Sequence, residues 1–473
     1  MPLSGPNGAL PLPSFVEKRL FSSSPSVRSL NIDNINQHVR EAKYAVRGEL
    51  AIKSEQYRAQ LQKGEGKDLP FDSVISANIG NPQQLDQKPL TFFRQVTSIL
   101  ENPALSENEE VLETHFGYKS DVFERARKLL KDVKSVGAYS QSQGAPGIRQ
   151  SVANFIENRD GYPADPANIY LSAGASSGVN TLMNVICATP QTGILVPIPQ
   201  YPLYTATLSV LNAKFVPYYL EEDKNWSTDV GGMRDALKQA QKDGIDVRAV
   251  VVINPGNPTG GSLKPELINS VLELAAEEKL VCIADEVYQT NVFEGKFHSF
   301  KKGLRDLQKS ERNKDGKFDN LELASLHSIS KGMVGECGHR GGYYEMVGFD
   351  PEVRIRHHHK LCMFRGTDCS LAGCSTNLQI RLNNALRACH RPVPRRTHGQ
   401  PSPRWRSLLP IVQERIRWDL QRAPRSLECT LRGFQGNGRC VLPIATGKHV
   451  SVPDDSVAGE GDRSGEEGWE GTG

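Results

Sequence analysis

The fold prediction starts from the stretch Ser325-Leu326-His327-Ser328-Ile329-Ser330-Lys331-Gly332, where an apolar run ends in hydroxylated residues and one lysine. This pattern predicts a buried strand that opens into a polar site. A lysine held there can lose its charge through desolvation and become a nucleophile for Schiff-base chemistry. The hydroxyl groups and the downstream Arg340 would suit an anionic phosphate near Lys331. Taken alone, the stretch also fits a surface lysine that follows a strand.

The composition narrows the class of protein. The chain has 473 residues, which exceeds one ordinary core and predicts two packed domains. Its hydrophobic content of 38% and charged content of 23% are typical of a soluble globular protein. A net charge near +3 argues against nucleic-acid and membrane partners, and no apolar run is long enough to span a bilayer. Two of its first three cysteines lie in apolar runs, which indicates a reduced compartment.

The first hundred residues contain an arm and a mainly helical segment. Residues 18–26 are basic and serine-rich, so residues 1–30 are either a transit-peptide-like arm or a disordered one. Residues 29–61 predict short helices that pack on a larger body. Residues 74–82 predict a strand that ends at a Gly-Asn-Pro turn, where Gly80 permits close approach to a ligand. A plain turn glycine is the alternative.

Two helices and an anion site are predicted next. Residues 123–136 form a basic amphipathic pattern, and a second helix begins near Ile148 after a Gly/Pro-rich loop. Residues 169–171 then predict a strand that enters the small-residue turn 172–178 and a helix over 179–188. A helix N-terminus after such a turn is a cradle of backbone amides, which best fits a simple phosphate monoester. A tight strand-to-helix turn without a ligand is the alternative.

Further strands predict an α/β protein with a mainly parallel sheet. Apolar runs at residues 193–197, 249–253 and 280–284 alternate with an amphipathic helix over 265–276. The carboxyl ends of parallel strands meet at one edge, where ligands bind. We predict that the densely charged residues 301–320 form a solvated surface excursion.

The strand ends carry distinctive residues. Asn-Pro-Gly-Asn-Pro-Thr-Gly-Gly follows one strand at residues 254–261, and Asp285 and Tyr288 follow the next. A buried aspartate is costly unless it has a cationic or hydrogen-bonding partner, and a protonated pyridine nitrogen is one such partner. The alternative for Asp285 is a helix cap or a structural salt bridge.

The order and spacing of these motifs resemble those of the fold-type I, pyridoxal-phosphate-dependent aminotransferases. The individual residues of the motifs resemble those of the alanine aminotransferases, a group within that family. The resemblance covers about residues 30–350 and implies an α/β fold with a large domain built on a mainly parallel sheet flanked by helices. The expected division is residues 31–104 as part of the small domain and an edge of the substrate site, and residues 105–350 as the cofactor-binding large domain.

The resemblance also implies roles for individual residues and the cofactor pyridoxal 5′-phosphate. Lys331 would be the Schiff-base lysine, and Asp285 would keep the pyridine nitrogen protonated. Tyr139 would reach the phosphate of a neighbouring subunit, so a homodimer is implied. Gly80 would lie against the substrate carboxylate. The remaining cofactor contacts would be Tyr288 and Asn257 to the phenolic oxygen, Tyr201 stacked on the ring, and Ala175, Ser176, Ser328 and Arg340 around the phosphate.

The implied reaction is ping-pong transfer of the amino group of L-alanine to 2-oxoglutarate, which gives pyruvate and L-glutamate in the mitochondrial matrix or the cytoplasm. The substrates would be small amino and 2-oxo acids. Another substrate preference within the same fold, including a related lyase, is one alternative. A cofactor-binding protein without catalysis is another.

Residues 351–473 depart from this pattern. Lysine becomes rare, six of the nine cysteines fall here, and helix or strand periodicity is weak. The Cys/His spacings match no trusted zinc pattern, so we predict no metal site. We hypothesise that this tail is poorly ordered and comes from an aberrant reading frame or a mis-spliced exon. The small domain and the arginine that clamps the substrate carboxylate in the family would then be incomplete, which would impair catalysis.

Overall fold

The computed structural model describes residues 29–44, 46, 48–75, 79–332 and 334–354. Most of the N-terminal arm and nearly all of the tail considered above lie outside these residues. Within the described part, eight strands form one mixed sheet. The strands are β1 (Ile169–Ser172), β2 (Thr192–Ile198), β3 (Lys214–Glu221), β4 (Ser227–Thr228), β5 (Asp246–Ile253), β6 (Val281–Asp285), β7 (Leu323–Ser328) and β8 (Gly342–Val347).

The strand order is β1-β8-β7-β6-β5-β2-β3-β4. The neighbouring strands β7, β6, β5, β2 and β3 pair in parallel. Strand β8 is antiparallel to both β7 and β1, and β4 is antiparallel to β3. The predicted mainly parallel sheet is therefore confirmed, and the strands predicted at residues 169–171, 193–197, 249–253 and 280–284 are all present.

Helices flank the sheet and precede it in the chain. They are α1 (Gln37–Glu41), α2 (Glu49–Gln62), α3 (Thr91–Glu101), α4 (Glu109–Phe116), α5 (Ser120–Val133), α6 (Pro146–Asp160), α7 (Ala175–Ile186), α8 (Leu203–Val210), α9 (Val230–Lys242), α10 (Pro265–Glu277) and α11 (Phe300–Gln308). Proline stands in the first turn of α6 and α10, where its missing N–H costs nothing.

The two faces of the sheet carry separate cores because side chains alternate along each strand. Val250 and Val252 of β5 pack with α9, α10 and α11, whereas Val251 packs on the other side with α7 and α8. Helices α3, α5 and α6 form a third buried cluster beside the end of the sheet. Both sheet faces are thus covered, as the continuous apolar strands require.

One local prediction was wrong in part, and another falls partly outside the described residues. The first part of residues 301–320 is not solvated, because α11 buries Phe300, Leu304 and Leu307 at helical spacing and Lys301 is only 1% exposed, whereas residues 309–320 are mostly exposed. The dense charge hid an amphipathic helix. In the stretch 74–82, residues 76–78 of the predicted strand lie outside the described residues; the described ones belong to no strand, and Ile75 is 83% exposed.

Candidate active site

The carboxyl ends of β5, β6 and β7 meet at one edge of the sheet. The register pairs Ile253 with Asp285, and Asp285 with Leu326, so the segments that follow these strands lie side by side. The ladder continues past the strand ends, where the Asn254 amide donates to the Asp285 carbonyl at 2.9 Å. The structure therefore brings together the motifs that the sequence placed after separate strands.

Lys331 follows β7 and is partly buried. Its Nζ lies 5.4 Å from the centroid of the Tyr288 ring. Burial lowers the pKa of Lys331, and the nearby Arg340 acts in the same direction, while Cys337 and Asp285 oppose the shift. A lowered pKa raises the fraction of neutral amine at physiological pH, and the neutral amine is the nucleophilic form.

Asp285 ends β6 and is 6% exposed. The Tyr204 hydroxyl donates to its Oδ2 at 2.7 Å, and the Val287 amide approaches its Oδ1 at 3.4 Å. Burial raises the pKa of Asp285, and the hydrogen bond from Tyr204 opposes that rise because it favours the charged form. A buried carboxylate with this environment is stabilised further by a cation at its open side.

Tyr288 is held by the loop that follows β5. Asn257 Nδ2 donates to the Tyr288 hydroxyl oxygen at 2.9 Å. Burial raises the pKa of Tyr288 to about 12, with a smaller contribution from Asp285. The phenol therefore keeps its proton near neutral pH and can donate a hydrogen bond to an anionic oxygen.

Tyr201 precedes α8 and contacts a residue far away in sequence. Its hydroxyl lies 2.6 Å from that of Tyr44, and the two rings meet edge to face with centroids 6.3 Å apart. The sequence motifs predicted Tyr201 but missed both Tyr44 and Tyr204. A signal for Tyr204 was available, because it lies one helical turn after Tyr201 in an apolar segment, whereas Tyr44 lies in a polar segment without such a signal.

The predicted anion cradle is present at the start of α7. Gly174 precedes the helix at φ 82°, and a Cβ built on it would lie 2.7 Å from Arg340 Nη2, so this position favours glycine. Arg340 Nη2 also donates to the Ala173 carbonyl at 3.2 Å. The free amides of Ala175 and Ser176 and the Arg340 guanidinium thus lie at one helix N-terminus, which favours a phosphate.

Ser328 ends β7 next to this cradle. Across the neighbouring β8, Gly342 pairs with both Ser328 and Ser172. The Ser328 Oγ accepts a hydrogen bond from the Ser330 amide at 3.0 Å, which orients the turn that leads to Lys331. Ser328 is therefore a buried residue on the cradle side, and its contact with a phosphate stays a prediction.

Two predicted residues lie at the margin of the described site. Gly80 is exposed, and its carbonyl lies 4.0 Å from Cys337 Sγ. Tyr139 is 93% exposed in the loop between α5 and α6. The predicted contacts of Gly80 with substrate and of Tyr139 with a second subunit stay predictions.

Comparison with known proteins identifies the family. The model of the family described as aminotransferase class I and II matches residues 105–401. This chain belongs to that family. The match reaches beyond residue 350, where we expected the resemblance to end, so residues 352–401 fall within the family match.

Individual relatives of this class I and II aminotransferase are similar over part of their length. The mitochondrial alanine aminotransferase of Saccharomyces cerevisiae is 53% identical over 329 residues, covering 69% of this chain and 55% of that protein. The inactive alanine aminotransferase of the same organism is 51% identical over 326 residues, covering 68% and 63%. The chain therefore spans less than two thirds of the length of these relatives.

Solved structures support the fold. The alanine aminotransferase from Pyrococcus furiosus superposes with a TM-score of 0.54 at 20% identity, covering 75% of each chain. An aminotransferase from Escherichia coli gives a TM-score of 0.55 at 20% identity, covering 73% of this chain and 70% of that one. The fold class predicted from the sequence, an α/β fold of fold-type I, is thereby confirmed.

The described residues fit pyridoxal 5′-phosphate, the cofactor that membership of this family implies. The helix N-terminus with Arg340 suits its phosphate, and the buried Asp285 suits a protonated ring nitrogen. Lys331 is the partly buried amine among them, and Tyr288 retains a proton for the phenolic oxygen. Each part of the cofactor thus has a matching group on the protein.

No helix within the described ranges is long and apolar enough to cross a membrane. The predicted absence of a metal site concerned mainly the tail, which lies outside the described residues. Within those residues, no group of three or more His, Cys, Asp or Glu side chains is arranged to hold a metal ion.

Proposed function

We propose that this protein is a pyridoxal-phosphate-dependent aminotransferase that moves the amino group of L-alanine to 2-oxoglutarate, giving pyruvate and L-glutamate. The convergence of Lys331, Asp285 and Tyr288 at the ends of adjacent strands carries the proposal. The 53% identity with the yeast mitochondrial alanine aminotransferase supports the choice of substrates.

The bound cofactor would supply an electron sink for the carbanion that forms when the substrate loses its Cα proton. Lys331 would hold the cofactor until the substrate amino group displaces it, and its freed amine would then move a proton between the substrate Cα and the cofactor carbon. Asp285 would keep the proton on the ring nitrogen, which strengthens the electron withdrawal.

The other residues would bind and orient. Tyr288 and Asn257 would hold the phenolic oxygen through their hydrogen-bonded pair, and Tyr201 would cover the ring. Ala175, Ser176, Ser328 and Arg340 would hold the phosphate. Gly80 would leave room for the substrate carboxylate because it has no side chain.

The partners and the location are part of the same proposal. The exposed Tyr139 is available to reach a second copy of the chain, which supports a homodimer. The substrates would be small amino and 2-oxo acids. The similarity to a mitochondrial relative and the transit-peptide-like residues 18–26 support the mitochondrial matrix over the cytoplasm.

A second candidate is a cofactor-binding protein that does not catalyse transfer. One relative, 51% identical, is named an inactive alanine aminotransferase. In the family the C-terminal part supplies the arginine that clamps the substrate carboxylate, and the sequence offers no matching position among residues 352–473, nearly all of which lie outside the described part of the chain. This candidate keeps the cofactor residues and lacks the substrate clamp.

Absorption spectroscopy of the full-length protein loaded with pyridoxal 5′-phosphate separates the two candidates. We expect L-alanine to shift the visible band to the near ultraviolet and 2-oxoglutarate to restore it. Lys331→Ala should abolish the visible lysine-dependent band, while Lys302→Ala, which changes a partly exposed lysine of α11, should leave it intact. A Lys331-dependent band that ignores L-alanine would support the second candidate, and no such band would contradict both.

A further inference from the structure

The loop between Lys331 and Arg340 contains a buried carboxylate that the proposed mechanism does not use. Glu336 is 5% exposed and forms a two-pronged ion pair with Arg94 of α3. Arg94 Nε donates to Oε1 at 3.1 Å and Nη2 donates to Oε2 at 3.0 Å. Such paired, charge-assisted hydrogen bonds fix orientation as well as distance. His339 Nε2 is a weaker neighbour, 3.5 Å from Glu336 Oε2.

The same arginine closes a ring of hydrogen bonds around the segment that carries Gly80. Arg94 Nη2 donates to Gln83 Oε1 at 3.1 Å, and Gln83 Nε2 donates to the Gly335 carbonyl at 3.1 Å. The ring therefore runs from Glu336 through Arg94 and Gln83 back to Gly335. Three residues before Gln83, the Gly80 carbonyl faces Cys337 Sγ at 4.0 Å.

Both ends of this ring belong to segments that are held by packing or by backbone hydrogen bonds. Arg94 projects from α3, whose neighbouring Phe93 and Val96 are buried in the third core. The loop of Glu336 is closed at its base, because the Ile329 amide donates to the Gly341 carbonyl at 3.0 Å and the Glu336 amide donates to the Ile329 carbonyl at 3.1 Å. The ion pair thus joins a fixed helix to the turn that carries the nucleophile.

We propose that Glu336 and Arg94 are positioning residues whose ion pair holds the Gly80 segment against the Lys331–Arg340 loop and so sets the affinity for the substrate carboxylate. The inference deepens the proposed function and rests on it for the role of Gly80. Removing one partner leaves the other charge without its match, and Arg94 is then lost or no longer held in place to donate to Gln83 of the segment 79–87. Cofactor binding should change less, because the cradle amides of Ala175 and Ser176 at the start of α7, and Ser328 at the end of β7, lie outside this loop.

The test uses the full-length protein in four variants: Arg94→Met, Glu336→Gln, the double variant, and Arg127→Met as the control. Arg127 forms an ion pair with Glu109 between α5 and α4, so the same substitution breaks a pair away from the site. Hydrogen exchange followed by mass spectrometry reports the freedom of residues 79–87. The cofactor-loaded protein is also titrated with 2-methylalanine, an amino acid without a Cα hydrogen, which binds without completing proton transfer.

We expect each single variant to raise exchange in residues 79–87 and to weaken 2-methylalanine binding by roughly 10-fold. The double variant should be no worse than a single variant because the pair acts as one unit. Arg127→Met should change neither readout.

Unchanged exchange in both single variants, or effects on affinity that multiply in the double variant, would overturn the inference. Failure of the proposed function is seen separately, as a parent protein whose spectrum ignores L-alanine. The exchange measurement tests the ion pair even then.

Discussion

The two sides of the candidate site differ in what holds them. On the sheet side, Asp285 and Ser328 end strands that are paired on both edges, and both are nearly buried at 6% and 5% exposure. On the N-terminal side, neither α1 nor α2 buries a single described residue, and Tyr44 contacts Tyr201 through a hydroxyl pair that is only partly buried.

This difference predicts how each side responds to the loss of a polar contact. A group buried beside the sheet cannot regain water when its partner is removed, so the loss is expensive. A partly exposed group on the N-terminal side can be rehydrated, so the loss is small. The two sides should therefore differ in the free energy that each contact contributes, even though their hydrogen-bond lengths are similar.

The largest effect is expected at Lys301, in the buried ion pair between α11 and β8. Its Nζ lies 2.6 Å from Glu345 Oε1, and the two side chains are 1% and 2% exposed. Lys301→Met leaves Glu345 as an unmatched buried carboxylate, so we expect a loss of about 3–5 kcal/mol in the free energy of unfolding. Urea unfolding at pH 7 measures this loss.

The next residue in the chain supplies the matched control. Lys302 pairs with Asp306 on the surface of α11, with side chains 40% and 47% exposed, so Lys302→Met should change the free energy of unfolding by less than about 1 kcal/mol. Replacing both partners, as in Lys301→Met with Glu345→Leu, should recover much of the loss. Equal losses for Lys301→Met and Lys302→Met would remove the distinction between buried and surface pairs.

Lys301 also shows where reading the sequence fails. The apolar strands and the residues after them were predictable, because continuous runs such as residues 249–253 have few alternatives and parallel strands expose their carboxyl ends together. The charged segment 301–320 was predicted to be solvated, since its buried apolar residues Leu304, Leu307 and Phe318 are outnumbered by charges. A buried lysine is invisible until its carboxylate partner on β8 is placed beside it.

In the candidate site too, residues whose partners are distant in the sequence were not predicted. Motif order predicted Lys331, Asp285, Tyr288 and Asn257, and the structure brings these residues together. Tyr44 and Glu336 were missed because their partners, Tyr201 and Arg94, lie 157 and 242 residues away in the sequence. Contacts of that range depend on how the N-terminal segment folds back over the sheet, which no local pattern encodes.

A medium effect is expected at Glu286, which follows Asp285 on the sheet side. Its Oε1 accepts from the Phe300 amide at 2.7 Å, and its other oxygen lies 3.6 Å from Arg159 Nη1. Burial raises the pKa of Glu286 to about 8, and Asp160 and Glu345 add to the rise while Arg159 opposes it. Between pH 4.5 and about 8 the folded protein therefore holds a proton that the unfolded chain releases.

This extra proton determines how the free energy of unfolding changes with pH. Rising pH destabilises the wild-type protein across this window, by at most about 1.4 kcal/mol per pH unit from this group. Glu286→Gln keeps an acceptor for the Phe300 amide and has no proton to lose. We expect the free energy of unfolding of this variant, measured in urea at pH 5.5, 7 and 8.5, to increase relative to that of the wild type as pH rises. The exposed Glu311→Gln is the control, and parallel curves for Glu286→Gln and the wild type would contradict the prediction.

The smallest effect is expected on the N-terminal side, at Tyr44. Tyr44→Phe removes the hydroxyl that lies 2.6 Å from the Tyr201 hydroxyl and keeps the edge-to-face contact of the rings. Because the Tyr201 hydroxyl is only partly buried, water can replace the lost partner, at a cost of about 0.5–1.5 kcal/mol.

If Tyr201 covers the cofactor ring, binding of pyridoxal 5′-phosphate to the apoprotein should weaken by about 2- to 10-fold, as a fluorescence titration would measure. Tyr57→Phe, at the edge contact with Phe71, is the matched control away from the site and should leave that affinity unchanged. A loss of 100-fold or more would mean that the N-terminal side is built as firmly as the sheet side, and no loss would mean that Tyr44 does not act on the site.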